Sequence, residues 1–122
     1  MRLSIVLPAK NESAAIGSTV AGIRQQYPDT AEVEVLVVND GSTDDTAAVA
    51  AAAGARVVHH PYSKGNGAAI KTGARAAQGE VLVFMDADGQ HDPADIPRLL
   101  DQLRQGHDMV VGARQKGSQA SV

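Results

Sequence analysis

Apolar residues along this chain fall into five short runs, separated by polar or alanine-rich stretches. Leu3, Ile5, Val6 and Leu7 form the first, halted at Pro8, which has no N–H to donate to a ladder. Val33 and Val35 to Val38 form the second, and Arg56-Val57-Val58-His59-His60, stopped by Pro61, forms a short third. Val81-Leu82-Val83-Phe84-Met85 is the fourth, five apolar residues with no polar alternation. Such a run fits a strand buried on both faces of a parallel sheet. Asp108 to Arg114 is a fifth candidate.

The stretches between the runs read as helices. Ala14 to Gln25 carries Ile16, Val20 and Ile23 at helical spacing. Thr46 to Ala53 is nearly all alanine, with Gly54 as a C′ residue. Ala68 to Ala77 is a third helix, after a flexible Lys64-Gly65-Asn66-Gly67 loop, and Pro93 to about Gln105 presents Ile96, Leu99, Leu100 and Leu103 on one face. Strand and helix therefore alternate throughout. The expected architecture is α/β, an open, doubly wound, mostly parallel sheet with right-handed crossovers. With strand order 3-2-1-4, the loops after the first and fourth strands flank the switch point, the usual ligand crevice of such sheets. Asn11-Glu12 would then face the turn after the fourth strand, and Asp40 would line the same wall.

That turn, Asp86-Ala87-Asp88-Gly89-Gln90-His91-Asp92-Pro93, carries the densest candidate chemistry. Asp86 and Asp88 stand two apart at a strand's carboxyl end, so both carboxylates can aim outward. Two close carboxylates repel, and a shared proton or a divalent cation relieves that. A plain acidic turn leading into the N-cap Asp92 and Pro93 accounts for the same residues.

Composition narrows the function classes. The 122 residues suit one domain, and 43% hydrophobic with 20% charged residues is globular. A formal net charge of -3, scattered Lys and Arg, and 2% aromatic residues argue against nucleic-acid partners. Absence of cysteine removes disulfides, thiolate metal sites and thiol catalysis. Met1-Arg2 runs straight into the first strand, leaving no room for a signal peptide, and no apolar run reaches the roughly 20 residues of a membrane-spanning helix. A soluble, cytoplasmic chain is expected.

Several familiar sites fail on the residues. Gly65 to Thr72 departs from a Walker A loop because Ile70 takes the second glycine position, and Ile70 also breaks a dinucleotide fingerprint. A phosphoryl-accepting receiver would need an acidic pair after the first strand, where only Glu12 is acidic. His59 and His60 point to opposite faces of a strand and so cannot chelate together. They and His107 read as surface residues, whereas His91 follows the acidic turn directly. A nucleotidyltransferase would bring a glycine-rich basic loop after the first strand, and Pro8 to Ser13 has no glycine.

Taken in order, Pro8-Ala9-Lys10-Asn11-Glu12, Val37 to Thr46, Lys64 to Gly67, Asp86 to Pro93 and Gly112-Ala113-Arg114 resemble the family-2 glycosyltransferases of the GT-A fold. The likeness is strongest to the branch of dolichol-phosphate mannosyltransferase and the bacterial polyprenyl-phosphate sugar transferases, and it spans Met1 to about Arg114. It implies a Rossmann-like nucleotide-binding half over residues 1–114, followed by a polar tail over 115–122. Pro8, Lys10, Asn11 and Glu12 would cradle the nucleotide of a GDP- or UDP-sugar, with Asp40 accepting from base or ribose. Lys64, beside the glycine-rich entry to the third helix, could close over a phosphate, and a plain flexible loop accounts for the same residues equally well. Asp86, Ala87 and Asp88 would form the aspartate-any-aspartate motif, and Asp86, Asp88 and Gln90 would hold Mg²⁺ or Mn²⁺. Arg114 would meet the phosphates of donor or acceptor, so that Asp86, Asp88 and Arg114 carry the catalysis. The implied reaction is inverting transfer to a polyprenyl phosphate, at most peripherally on the cytoplasmic membrane face. Family members continue beyond this arginine into an acceptor half, so a short form with an exposed apolar face, able to pair as a homodimer, is expected. A nucleotide-sugar-binding module without turnover is the alternative from another class.

Overall fold

The computed structural model describes residues 2–85 and 109–111, the last three through their backbone. Strands β1 (Leu3–Ala9), β2 (Val33–Asp40), β3 (Arg56–His60), β4 (Val81–Phe84) and β5 (Met109–Val111) form one sheet in the order β3-β2-β1-β4-β5. Every pairing is parallel. Helices α1 (Ser13–Gln26), α2 (Thr46–Ala53) and α3 (Asn66–Ala76) make the crossovers among the first four strands. The expected order 3-2-1-4 is present. The helix expected from Pro93 to about Gln105 lies outside the described residues.

The apolar runs are buried because both faces of the central strands are covered. Ile5, Leu7, Val35 and Val37 pack on one face with Ile16, Val20 and Ile23 of α1 and Ala50 of α2. Val6, Leu36, Val38 and Phe84 pack on the other with Ala69 of α3. The alternation of strand side chains divides these sets. Gly73 lets α3 lie close on the second face, since a Cβ there would stand 2.4 Å from Val6 Cγ1. Gly54 ends α2 in the left-handed conformation at φ 111°, as its position after the alanine run suggests. Among the described residues no helix is long and apolar enough to cross a membrane.

One helix boundary departs from expectation. α3 begins at Asn66, so Asn66 and Gly67 belong to its first turn and not to a flexible loop. Gly65, at φ 98°, makes the reversal, and its carbonyl accepts the N–H of Ala69 at 3.1 Å.

The amino-terminal edge of the sheet is closed by a buried polar cluster that the apolar pattern conceals. Glu34 Oε2 accepts from Ser4 Oγ at 2.6 Å and from the N–H of Gln78 at 2.9 Å, while Oε1 lies 3.0 Å from the Arg56 guanidinium. Burial pushes the Glu34 carboxyl up, but the Gln78, Ser4 and arginine contacts outweigh it and hold the group below its ordinary range.

Candidate functional site

At the opposite, carboxyl-terminal edge the loops that follow β1, β2 and β3 are tied to one another by side chains. After β1 the chain passes through Lys10, which is exposed, and Asn11, which adopts φ 52°. Asn11 N–H donates to Ser42 Oγ at 2.9 Å, and Asn11 Oδ1 accepts from Thr43 N at 2.8 Å and Thr43 Oγ1 at 3.2 Å. Asparagine tolerates the left-handed region better than most residues, and its amide here caps the neighbouring loop. Glu12 N–H donates to Thr46 Oγ1 at 2.9 Å, and the Glu12 carbonyl starts α1 by accepting from Ala15 and Ile16.

Asp44 completes this seam. Its carboxylate accepts from Thr46 N at 3.0 Å, from Thr46 Oγ1, and from Ser13 N at 3.4 Å. The Thr46 hydroxyl above all holds the Asp44 carboxyl below its usual range. Asp44 bonds directly to the first-turn N–H of Thr46, at the amino-terminal end of α2. Asn39, at the end of β2, accepts from Ser42 N at 3.2 Å, and its amide nitrogen lies 3.3 Å from His59 Nδ1.

Asp40 ties in the third loop. Its Oδ1 accepts from His60 Nδ1 at 2.7 Å and Lys64 N at 2.8 Å, and its Oδ2 from Gly65 N at 3.0 Å and Ser63 Oγ at 3.1 Å. Burial raises the Asp40 carboxyl, yet the donors from Lys64, His60, Gly65 and Ser63 prevail and lower it to about 2. A carboxylate offers about four acceptor sites, so all of them are engaged within the protein. The carboxylate expected to receive a base or ribose thus spends its acceptors on the β3–α3 loop. Gly41 brings the β2–α2 loop against that loop at φ 69°, where a Cβ would stand 2.5 Å from Ser63 N.

His60 corrects the surface reading of that residue. It is buried, and its Nε2 lies 2.7 Å from Thr72 Oγ1 on α3. Strand alternation turns His60 toward α3 and leaves His59 exposed, so the two do face opposite ways. His60, Ser63 and Thr72 were not singled out among the site residues. The adjacency of a histidine to a strand's end was the available signal, but its partners lie on other elements. Lys64 is exposed, with Nζ 5.3 Å from the centroid of the Tyr62 ring. Pro8, half-buried, lies opposite Val38 in the sheet register.

The structure therefore brings Pro8, Lys10, Asn11, Glu12, Asp40 and Lys64 to one edge. Asp86, Ala87, Asp88, Gln90, His91, His107 and Arg114 lie outside the described residues. β4 leads toward the first of them: it pairs with β1 through Val6 opposite Phe84, and Met85 N donates to Val6 O at 3.0 Å. Met85 immediately precedes Asp86, beside the strand that ends in Pro8-Ala9. The oxygen donors of Asp86, Asp88 and Gln90 suit a hard cation such as Mg²⁺ or Mn²⁺.

Known proteins are similar to this chain in sequence and in fold. An uncharacterised glycosyltransferase of Mycobacterium tuberculosis is 40% identical over 112 residues, covering 92% of this chain and 48% of its own length. An undecaprenyl-phosphate mannosyltransferase of Micrococcus luteus is 38% identical over 122 residues, covering 93% and 49%. The chain thus spans about half the length of these curated relatives. The crystal structure of glucosyl-3-phosphoglycerate synthase from Mycobacterium tuberculosis with Mn²⁺, UDP-glucose and phosphoglyceric acid superposes with a TM-score of 0.74 at 36% identity, covering 87% of this chain and 40% of that one. The sheet and crossovers are accordingly those of the nucleotide-binding half of GT-A glycosyltransferases. The sequence model described as Glycosyl transferase family 2 matches residues 4–122, and the chain belongs to that family.

Proposed function

We propose that the carboxyl-terminal edge of this sheet binds the nucleoside diphosphate of a sugar donor together with a divalent cation. It would do so as the donor-binding part of a glycosyltransferase that passes the sugar, with inversion, to a polyprenyl phosphate. The observation that carries the reading is the stitching of three loops at one edge, through Asn11, Asp44 and Asp40, beside the strand that leads to Asp86. A rigid edge of this kind meets the requirement that a binding site be held before the ligand arrives. The likeness to a synthase crystallised with Mn²⁺ and UDP-glucose supports the donor class, and the likeness to an undecaprenyl-phosphate mannosyltransferase supports the acceptor.

Each residue has a part in this reading. Pro8, Lys10, Asn11 and Glu12 border the nucleotide, and Lys64 brings a cation toward the diphosphate. Asp86, Asp88 and Gln90 would hold Mg²⁺ or Mn²⁺, which when bound neutralises charge that builds on the departing diphosphate. Arg114 offers a two-pronged guanidinium to a phosphate of donor or acceptor. A lipid phosphate is already anionic, so its oxygen attacks the anomeric carbon without a strong base, and the bond from that carbon to the nucleotide oxygen breaks with its electrons going to the diphosphate. Such an acceptor would bring the protein to the cytoplasmic face of a membrane.

A second acceptor has a specific basis, since the synthase structure contains phosphoglyceric acid. Both acceptors carry a phosphate. Calorimetric titration with UDP, GDP and their sugar conjugates, with Mn²⁺ and with chelator, tests the donor half. Metal-dependent binding by the chain, lost in Asp88→Ala, is the expected result. A folded chain that binds no nucleotide under any of these conditions would overturn the reading. Incubating the bound conjugate with polyprenyl phosphate or with phosphoglyceric acid then separates the acceptors by the product formed.

A further inference from the structure

At the amino-terminal edge of the sheet, away from the loops proposed to bind the donor, lies a cavity of about 160 Å³ whose walls include Arg2, Arg24, Arg56, Thr30, Glu34 and Gln78. The three arginines come from different elements: Arg2 precedes β1, Arg24 stands in the last turn of α1, and Arg56 opens β3. They are scattered in sequence, and the parallel register brings them to one end of the sheet because every crossover helix returns the chain there.

Oxygens of the fold hold each guanidinium in place. Arg2 donates to Gln78 Oε1 at 3.0 Å and to the Thr30 carbonyl at 3.3 Å. Arg24 donates to the Val33 carbonyl, and Arg56 to the Ala76 carbonyl and, at 3.0 Å, to Glu34 Oε1. A guanidinium carries five N–H donors, so these contacts fix the three forks and leave most of their donors over. Arg2 Nε and Arg24 Nε are buried and have no hydrogen-bond partner among the described residues. Nor does either arginine have an ion pair there, whereas Arg56 is paired with Glu34. Burial pushes the Arg24 guanidinium below its ordinary value. The Glu34 carboxylate and the carboxyl ends of the helices offset part of the three positive charges, but they leave the two Nε donors unanswered.

From this geometry we infer that the cavity is a binding site for a single phosphate group, either the free ion or a small phosphomonoester. Its volume falls below the roughly 300–1,000 Å³ of pockets that enclose larger organic ligands, so it is too small for a nucleotide and has room for one tetrahedral anion. Arginine forks match two phosphate oxygens at once, which a spherical anion such as chloride does not offer. A phosphate held here would tie α1, β1 and β3 together at the end of the sheet opposite the donor edge. The site does not rest on the donor reading.

Titration of the chain with inorganic phosphate, with chelator present and ionic strength held constant by chloride, tests the site through amide chemical shifts. Saturable shifts concentrated at Glu34, Gly54 and Gln78, with Lys64 and Gly65 unmoved, are the expected result. Shifts centred on Lys10 and Lys64, or no saturable shift at all, would overturn the inference. The same titration with glycerol phosphate separates the two sources of the group: an ester that binds as tightly marks phosphomonoesters as ligands, and one that fails to bind marks the free ion.

Two variants read the charges. Arg24→Gln is expected to weaken phosphate binding by about tenfold, in keeping with the loss of a charge-assisted hydrogen bond. Glu34→Gln removes a like charge from the wall and frees Arg56, so it should tighten phosphate by about threefold or more. Arginines that serve only to hold the fold together would not produce that gain. If Arg24→Gln does not fold, the shifts of the unsubstituted chain and the affinity of Glu34→Gln decide. Unchanged phosphate affinity in either folded variant would overturn the site.

Discussion

Asn11 Oδ1 accepts the main-chain N–H of Thr43 at 2.8 Å, a bond between loops 32 residues apart in sequence. It joins the end of β1 to the end of β2 at the edge proposed to bind the donor, and Asn11 pays for it with a left-handed backbone at φ 52°. Asn11→Ala loses the amide and keeps the strained φ. The expected loss of stability is about 1–3 kcal/mol in urea denaturation, while Asn11→Gly, which relieves the backbone but not the lost bonds, should fall less.

Gly41 offers a sharper case. A methyl group at this position would stand 2.5 Å from Ser63 N and 2.6 Å from the Tyr62 carbonyl carbon, both of them backbone atoms that cannot rotate away. Gly41→Ala should destabilise the chain by about 2 kcal/mol or more and move the loop that bears Lys64. Thermal unfolding measures the first effect, and nucleotide affinity at a temperature where the variant is folded measures the second.

Acid should loosen the same edge through Asp40. Its folded carboxyl titrates at about 2, below the ordinary value of 3.8, so it contributes stability that is full above the unfolded value and lost as pH falls through the folded one. The contribution is about 2 kcal/mol, and it should disappear between about pH 4 and pH 2. Comparing denaturant midpoints of the unsubstituted chain and Asp40→Asn over that range isolates the group, because Glu34 and Asp44 titrate in both. Equal slopes in the two proteins would contradict the prediction.

Glu34 provides the complementary prediction at the other edge. Glu34→Ala leaves the Ser4 hydroxyl and the Gln78 N–H without their acceptor in a buried place and removes the partner of the half-exposed Arg56. A loss of about 2–3 kcal/mol in stability is expected. Nucleotide affinity, measured while the variant remains folded, should not change, because the cluster lies at the amino-terminal ends of the strands.

The sequence by itself determined the kind of sheet. Uninterrupted apolar runs such as Val35 to Val38 need cover on both faces, and helices of the right length stand between them, so the parallel α/β arrangement follows from local pattern, while the order β3-β2-β1-β4, one of several that right-handed crossovers allow, was decided by the tertiary structure. The motifs from Pro8 to Glu12 and from Asn39 to Thr46 marked one edge for the same reason: polar residues collect where each strand ends. Only the tertiary structure decided what those polar residues do there. Asp40 turned out to be engaged by His60, Ser63, Lys64 and Gly65, and His60 to be buried against Thr72, although both histidines of the pair had read as surface residues. Alternation along a strand tells which face a side chain takes, but not which residue of a helix or loop comes to meet it. That depends on how closely α3 lies on the sheet and where Gly65 turns the chain, distances set by packing between segments far apart in sequence.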